Sequence, residues 1–518
     1  MKRRPVVCLV LLFTLMNASI SMAQSSTLAQ RIQSIMDRPE FKHALFGIEF
    51  YSLDKNKLVY AINADKLFTP GSTTKLLTEG TALMLLGADF RFHTRVYRTG
   101  PIGADGTLDG DLVLVASGDP NLSGRINADE TLAFENEDHS YDGDPNTRAV
   151  PGDPLLVIRR LAQQIADKGI KRIRGQVIVD ASLFREGARE LGTGVVMSPI
   201  VVNDNIIDVM VSPGETEGAP IVFKSSPATS YVFFVNRATT GKPESEPEIR
   251  FSGNQPNGDG TQNVTIAGNF PTGKPPILFK YVAPSPSRFA ETVLADALRE
   301  KGITVESSGP RRDFAALSSS YVPNQVVAEH VSPPLKEEIK VTLKVSQNLH
   351  ASITPLILAA LLAPKNSDRT GFDLEHDFLA KAGLDTLGAQ QADGAGGNAH
   401  FTPEFMVSYL AYMSKQKDFQ VFYNALPILG RDGTLFDIQT SSPAAGNVHA
   451  KTGTFANYDP LNRRVLVTGK GLAGYMTTRK GERLAFAIYI NNVSVPTDRD
   501  AVKKIVGQAV GEIAAAAY

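Results

Sequence analysis

Apolar residues in the N-terminal part of the chain recur with the two periods that separate strands from helices. An alternating stretch over 46–62, interrupted by a polar turn at 54–57, predicts a β-hairpin. A Thr-Pro-Gly break at 69–71 precedes an apolar segment over 72–86, which predicts a helix that begins at Ser72. These segments are therefore expected to form a strand pair and a helix whose first residue is a serine.

The middle of the chain is richer in β-branched residues. Runs over 201–211 and 221–235 predict strands, and the Gly-, Pro- and Asn-rich stretch 237–276 predicts loops on the same β module. The acidic stretch 129–153 predicts a solvated loop, because Thr147 stands where a calcium loop needs glycine. Helical periodicity is found over four further segments: 155–168, 287–301, 349–362 and 405–413.

The C-terminal part returns to alternating patterns. Segments 472–476 and 484–491 predict a second hairpin, and 448–454 predicts a strand that precedes it. Apolar positions over 498–517 form a single stripe, which predicts a helix that packs on a core.

Length and composition limit the number of domains and the class of protein that we expect. The chain of 518 residues exceeds one ordinary domain, so two or three domains are expected. An apolar content of 42% with 21% charged residues is typical of a globular protein. The net charge of -1 gives no indication of a nucleic-acid partner, and none is expected.

The N-terminus, 1–23, is predicted to be a signal peptide. Basic residues at 2–4 precede an apolar run over 5–20, and small residues at 21–23 offer a cleavage site before Gln24. The apolar run is short for a transmembrane anchor, which is the alternative interpretation. We expect export to the periplasm or the outside of the cell, with no membrane span after cleavage.

The chain has one cysteine, Cys8, and it lies inside the predicted signal peptide. The mature protein is therefore expected to contain no disulfide, no thiol nucleophile and no cysteine metal site. The histidines show no metal-ligand spacing such as H-E-x-x-H, so no metal site is expected.

Three short motifs occur in a fixed order along the chain. They are S-x-x-K at 72–75, S-x-N at 346–348 and K-T-G at 451–453. Two of them have chance copies, since 414–417 also reads S-x-x-K and 252–254 reads S-x-N. Context separates the sets: only the first S-x-x-K follows a Pro-Gly break and begins an apolar helix.

These motifs can perform acyl transfer. Positions three apart share a helix face, so the Lys75 amine is expected to reach the Ser72 hydroxyl. A serine needs a base to become a nucleophile, and burial near another cation lowers a lysine pKa enough for that role. Lys451 is expected to be that second cation. In the same motif, the absence of a side chain at Gly453 lets another backbone approach the strand closely.

The chain resembles the D-alanyl-D-alanine carboxypeptidase/endopeptidase family, the low-molecular-mass class C penicillin-binding proteins, whose motif set is S-x-x-K, S-x-N and K-T-G. The similarity extends beyond the three motifs. Further segments that look like those of the family are 68–78, 118–122 (GDPNL), 430–435 (GRDGTL), 450–454 (AKTGT) and 472–475 (LAGY).

The resemblance implies an α/β (α+β) fold of the penicillin-binding, serine β-lactamase-like transpeptidase type, with helices on both faces of an antiparallel sheet. The gap of 271 positions between Lys75 and Ser346 (346 − 75) matches the family's habit of inserting β-rich domains there. The expected boundaries follow: catalytic domain 24–98 and 312–518, inserted domain II 99–200 and 277–311, and inserted domain III 201–276.

The resemblance also implies roles. Ser72 is expected to be the nucleophile and Lys75 its base, while Ser346 relays a proton and Asn348 holds the substrate amide. The expected substrate-binding residues are those of the third motif and its neighbour: Lys451, Thr452, Gly453 and Thr454. The backbone N–H groups of Ser72 and Thr454 would form the oxyanion hole. Peptidoglycan stem peptides and β-lactam antibiotics are the implied partners, while the oligomeric state is left open. The family resemblance implies no cofactor.

One segment departs from the family pattern D-G-S-G-L-S-R. Here 393–400 reads DGAGGNAH, so the second serine and the arginine are missing. The family arginine is thought to bind the diaminopimelate side chain, and His400 is the available substitute, although a surface histidine is more often structural. Two alternatives stay open: a catalytically weakened peptidoglycan-binding protein of the same fold, and a β-lactamase-like hydrolase.

Overall fold

The structure is a computed structural model that describes residues 26–306, 314–498 and 500–518. The predicted signal peptide, 1–23, lies outside the described residues. Across the described ranges, no helix has both the length and the apolar character needed to cross a membrane.

The helices are numbered in chain order. In the described ranges, α1 to α11 are Leu28–Met36, Lys75–Leu86, Leu156–Asp167, Pro286–Glu300, Phe314–Leu317, Leu335–Val345, Asn348–Leu362, Gly371–Lys381, Pro403–Met413, Phe419–Ala425 and Gln508–Ala516. The last is preceded by a π-helical turn, Val502–Gly507.

The strands are numbered in the same way. In the described ranges, β1 to β22 are Leu45–Ser52, Lys57–Ile62, His93–Arg98, Thr107–Leu108, Leu112–Val115, Arg172–Ile173, Val177–Asp180, Ile206–Ser212, Val222–Ser226, Val232–Asn236, Thr239–Gly241, Glu248–Pro256, Gln262–Pro271, Ile277–Val282, Thr304–Val305, Val326–Val331, Ala389–Gln391, Ala399–Phe401, Val448–Asp459, Arg464–Thr477, Arg483–Asn491 and Val493–Val495.

One antiparallel sheet joins the two ends of the chain. Its order is β19-β20-β21-β1-β2, with β22 pairing to β20, and Ile48 of β1 lies opposite Ile488 of β21. Both predicted hairpins and the predicted strand at 448–454 are confirmed, and that K-T-G strand, β19, lies at an edge of this sheet.

The sheet is covered on both faces because β21 is apolar at every second position on each side. Ala487 and Tyr489 face a core shared with α2, α6, α7 and α9, whereas Ile488 and Ile490 face a core shared with α1 and α11. The expected arrangement of helices on both faces is thereby observed.

The region between the first two motifs forms its own core. Strands β3, β5, β7 and β16 make one sheet, on which α3 and α4 pack, and strands β8, β9 and β14 make another. The domain boundaries stay a prediction. Strands β3 and β16, which that prediction gives to the catalytic domain, pair with each other in this sheet.

Several local predictions for the middle are wrong. The stretch 237–276 contains strands β11, β12 and β13, whose period is obscured by their Gly and Asn residues. Residues 203–205 are a left-handed turn, so strand β8 begins only at Ile206, and 221–235 holds two strands instead of one. The acidic stretch 129–153 is a loop, but Asp138, His139 and Ser140 within it are buried.

Candidate active site

Ser72 lies in a 3₁₀ turn, Gly71–Thr74, that leads directly into α2, so the α-helix itself begins at Lys75. The K-T-G strand lies against this turn. A side chain at Gly453 would come within 2.0 Å of the Pro70 carbonyl oxygen and 2.9 Å of the Ser72 nitrogen. The predicted close approach of two backbones at Gly453 is therefore confirmed.

Lys75 is the centre of the site. Its Nζ lies 2.7 Å from Ser72 Oγ, 3.2 Å from Ser346 Oγ and 2.5 Å from Asn348 Oδ1. The structure thus brings the first two motifs together at one amine, although they are far apart in sequence.

Burial lowers the pKa of Lys75 to about 7, and the carboxylates of Glu190, Asp393 and Glu79 oppose this shift. The side chain is fully buried, and a buried ammonium loses hydration that its neutral hydrogen-bond partners only partly replace. The fall agrees in direction with the prediction, and its largest cause is burial, while the contribution of Lys451 stays a prediction. A base poised near neutral pH results.

The S-x-N motif joins two helices. Ser346 ends α6 in a left-handed conformation with φ of 63°, and Asn348 is the first residue of α7. A non-glycine residue pays about 1 kcal/mol or more for this conformation, so surrounding contacts must hold it. Tyr141 supplies one of them by donating its hydroxyl to the Ser346 carbonyl at 2.5 Å.

Thr452 and Thr454 of the K-T-G strand line the site, whereas the side chain of Lys451 is buried. Thr452 Oγ1 lies 2.7 Å from Thr434 Oγ1, and both residues line the same cavity as Ser72 and Thr454. Lys451 is fully buried and donates to the Thr452 carbonyl at 3.0 Å. Burial, then the charges of Lys75 and Lys470, hold the pKa of Lys451 well below its usual range.

Lys470 is a site residue that the sequence patterns missed. It lies opposite Thr454 in the β19–β20 pairing, and its Nζ donates to Thr454 Oγ1 at 2.6 Å. Burial lowers its pKa to about 8. The pairing register of β19 and β20 could have identified Lys470, since a residue directly opposite Thr454 has its side chain on the same face of the sheet. We call Lys75, Lys451 and Lys470 the lysine cluster.

These residues open into a cavity of about 920 Å³. Ser72, Ser346, Asn348, Thr452 and Thr454 all line it. Its wall also carries charged side chains from three parts of the chain: Glu137, Asp437, Asp500, Lys503 and Lys504. A volume of this size accommodates a peptide-sized ligand beside the serine.

The altered segment 393–400 contacts the site through its backbone. The Ala395 carbonyl lies 3.4 Å from Lys75 Nζ, and Asp393 Oδ1 accepts hydrogen bonds from the Ala395 and Gly396 nitrogens at 2.8 and 2.6 Å. His400 is exposed and contacts Gln390 at 2.9 Å, so it does not line the cavity beside Ser72.

Comparisons with known proteins identify the family of the chain. The chain is 25% identical over 511 residues to a D-alanyl-D-alanine carboxypeptidase of Actinomadura sp. (strain R39), covering 93% of this chain and 85% of that protein. It is also 25% identical over 461 residues to the D-alanyl-D-alanine carboxypeptidase DacB of Haemophilus influenzae, covering 86% and 84%.

The fold comparison is similarly extensive. The crystal structure of penicillin binding protein 4 from Haemophilus influenzae superimposes with a TM-score of 0.71 at 21% identity, covering 93% of this chain and 98% of that one. The expected penicillin-binding fold is therefore confirmed. The model of one family, described as D-Ala-D-Ala carboxypeptidase 3 (S13), matches residues 28–511. This protein is an enzyme that belongs to the D-Ala-D-Ala carboxypeptidase 3 (S13) family.

Proposed function

We propose that this protein is an exported serine D-Ala-D-Ala carboxypeptidase/endopeptidase that hydrolyses peptidoglycan stem peptides or cross-links through an acyl-enzyme on Ser72. The observation that carries the proposal is the contact of one buried amine, Lys75 Nζ, with Ser72, Ser346 and Asn348. Export rests on the sequence of 1–23, and the periplasm is the proposed location.

In the first step, neutral Lys75 accepts the Ser72 proton across 2.7 Å while Ser72 Oγ attacks the carbonyl carbon between two D-amino acids. A pKa of about 7 leaves roughly half of the Lys75 side chains neutral at pH 7. The proton then passes to the leaving amine through Ser346, whose Oγ lies 3.2 Å from the same nitrogen.

The negative charge on the attacked carbonyl oxygen needs donors. We assign this role to the backbone N–H groups of Ser72 and Thr454, which the close approach at Gly453 brings together. Each such donor contributes about 3 kcal/mol to transition-state stabilisation in serine hydrolases. Asn348 keeps its place by accepting from Lys75 at 2.5 Å and orients the substrate amide.

The substrate's terminal carboxylate is assigned to the third motif. Thr452 and Thr454 offer hydroxyl donors at the cavity wall, while Lys451 beneath them and Lys470 beside Thr454 supply positive potential. Charge-assisted hydrogen bonds of this kind are the stronger ones in proteins. The acyl group then leaves by attack of water, which regenerates Ser72, and penicillin inhibits by forming a slowly hydrolysed ester there.

The altered segment 393–400 bears on the weakened-enzyme alternative. Its contact with Lys75 is made by a backbone carbonyl, which does not depend on the missing serine and arginine. Turnover is therefore expected, and the change is expected to affect the choice of substrate side chain instead.

The test compares two serines of the same motif type. Mature protein is incubated with benzylpenicillin and mapped by mass spectrometry, and separately with purified muropeptides. Wild type should carry one adduct on Ser72 and release D-alanine or split cross-linked dimers. Ser72→Ala should do neither, whereas Ser414→Ala, in the chance copy at 414–417, should behave as wild type.

Other results separate the alternatives. Folded wild type that binds muropeptides without an adduct or product would indicate a binding protein. Rapid release of hydrolysed penicillin, without a lasting adduct, would indicate a β-lactamase-like enzyme. Either result would contradict the proposal.

A further inference from the structure

A fully buried set of ionisable side chains lies next to the S-x-N motif, and the proposed chemistry does not use it. We call Arg125, Asp138, His139, Asp204 and His350 the buried ion network. Its first four members come from the inserted region, 99–311, and His350 comes from helix α7. All five side chains are at most 2% exposed.

Asp204 is the hub of this network. Its Oδ2 lies 2.7 Å from Arg125 and 2.7 Å from His139, and its Oδ1 lies 2.8 Å from His350. Arg125 also pairs with Asp138 at 2.7 Å. Because the guanidinium already occupies both carboxylates, the cluster Asp138, His139 and Asp204 is better explained as an ion-pair network than as a metal site.

The backbone that delivers Asp204 is strained. Asn203, Asp204 and Asn205 have φ values of 47°, 54° and 56°, three consecutive non-glycine residues in the left-handed region. Such a run persists only where the surroundings over-determine it, and it is characteristic of functional sites. The strained conformation of this turn indicates a functional role for the contacts that Asp204 makes.

The network is connected to the active site through Gln347, the middle residue of S-x-N. The fully buried Gln347 amide donates to Asp138 Oδ1 at 3.0 Å and to Asp204 Oδ2 at 3.2 Å. Its Oε1 accepts from the Leu349 nitrogen at 3.1 Å, which caps α7. One side chain therefore links the inserted region to the start of the helix that carries Asn348.

The loop that carries Asp138 makes further contacts with catalytic elements. Tyr141 donates to the Ser346 carbonyl at 2.5 Å, and Asn136 Oδ1 accepts from the Gly433 nitrogen at 2.7 Å. Ser346 and Asn348, on either side of Gln347, both contact Lys75. The inserted region thus contacts the S-x-N motif both at the Ser346 backbone and at the Gln347 side chain.

We propose that the buried ion network is a positioning device: through Gln347, it holds Ser346 in its left-handed conformation and sets both S-x-N side chains against Lys75. The inserted region is then part of the catalytic apparatus and not only an appended domain. The network residues are positioning residues, since none of them touches the reacting atoms. This inference rests on the proposed acyl-enzyme function.

The test separates positioning from stability. Gln347→Met keeps the side-chain length but removes the amide nitrogen and oxygen that make these hydrogen bonds, and Asp204→Asn keeps the shape but removes one charge. The control is Glu291→Gln in α4, a buried carboxylate of the inserted region that accepts from the Val179 nitrogen at 3.1 Å and does not contact S-x-N. Acylation by benzylpenicillin is followed by rapid quench over a range of concentrations, which gives binding and acylation constants separately.

We expect both network variants to titrate with one penicillin per molecule, with an unchanged binding constant and an acylation rate constant 10- to 100-fold lower. A misplacement of about 1 Å produces a loss of this size. Glu291→Gln should stay within twofold of wild type. If Asp204→Asn does not fold, Gln347→Met alone decides.

Two outcomes overturn the inference in distinguishable ways. A lower thermal midpoint with an unchanged acylation rate constant in Gln347→Met would show that the network only stabilises the fold, and the proposed function would stand. Absence of acylation in folded wild type would refute the proposed function itself, and the positioning role with it.

Discussion

Two buried groups of charged side chains adjoin the same S-x-N motif, and the pKa values of their cations are shifted in opposite directions. In the lysine cluster the ammonium groups bond neutral oxygens, and burial lowers the pKa of Lys75 to about 7 and of Lys470 to about 8. In the buried ion network, burial alone would lower the pKa of His350, but the carboxylates of Glu338 and Asp204 raise it to about 10.

The difference lies in the partners and not in the depth. A buried cation without a bonded carboxylate gives up its proton near neutral pH, which is what a general base requires. A buried cation between carboxylates keeps its charge and becomes a fixed structural link. His350 thus keeps its charge near neutral pH, whereas Lys75 and Lys470 can exchange their protons there.

The largest effect should come from removing the base. Lys75→Met is expected to lower the acylation rate constant by about 10³-fold, since a positioned general base contributes 10² to 10⁴. Lys417→Met, in the exposed chance copy of S-x-x-K, is the control and should have no effect. Equal rates of penicillin acylation in wild type and Lys75→Met would remove Lys75 from the mechanism.

Breaking the ion network should affect stability first. Asp204→Ala leaves Arg125 and two histidines without their shared partner and is expected to cost about 3 kcal/mol or more in the free energy of unfolding. The matched control, Asp377→Ala, breaks an exposed pair with Arg369 and should cost less than about 1 kcal/mol. Urea unfolding measures both, and similar costs would refute the contrast.

A smaller effect is expected at Lys470. Lys470→Met removes the donor to Thr454 and a positive charge that lowers the pKa of Lys451. Loss of one charge-assisted interaction should reduce kcat/KM for a D-Ala-D-Ala peptide about 10-fold. Lys504→Met, an exposed lysine on the cavity wall, should change it less than about twofold. A Lys470→Met enzyme with unchanged kcat/KM would place the carboxylate elsewhere.

The pH dependence of stability should have opposite signs in the two groups. The pKa of Lys75 is about 7 when folded and 10.5 ordinarily, so between these values the unfolded chain binds more protons and stability rises with pH. The pKa of His350 is about 10 when folded and 6.5 ordinarily, so its contribution is complete below pH 6.5 and is lost as the pH rises through 10.

Urea unfolding of wild type, Lys75→Met and His350→Gln at pH 6 to 9 checks this contrast. The advantage of wild type over Lys75→Met should grow with pH, and that over His350→Gln should shrink, each by at most about 1.4 kcal/mol per pH unit. Slopes of the same sign would contradict the assigned partners.

The sequence was most informative where function requires fixed spacing. The contact of Lys75 with Ser72 was predictable, because a spacing of three places both side chains on one face of a helical turn. The role of Ser346 near the same amine was implied by the family resemblance. The alternating hairpins were predictable for a similar reason, since period two is a local property.

The features that the sequence did not predict depend on contacts between residues that are far apart in the chain. Lys470 matters because strand register sets it opposite Thr454, and no local pattern encodes that register. The acidic loop was predicted to be solvated because composition reports charge but not the partner, and here Arg125 and Gln347 bury Asp138. Strands β12 and β13 were missed because their Gly and Asn residues conceal the alternation.

The pH dependence of Ser72 acylation tests the central claim most directly. The second-order rate constant with benzylpenicillin, measured by intact mass from pH 5.5 to 9.5, reports the ionisation of the free enzyme's base. If burial without a bonded carboxylate makes Lys75 the base, the rate constant should rise with a midpoint at about pH 7 and then level off. A midpoint near 10, or a rate constant that does not change with pH, would contradict the account.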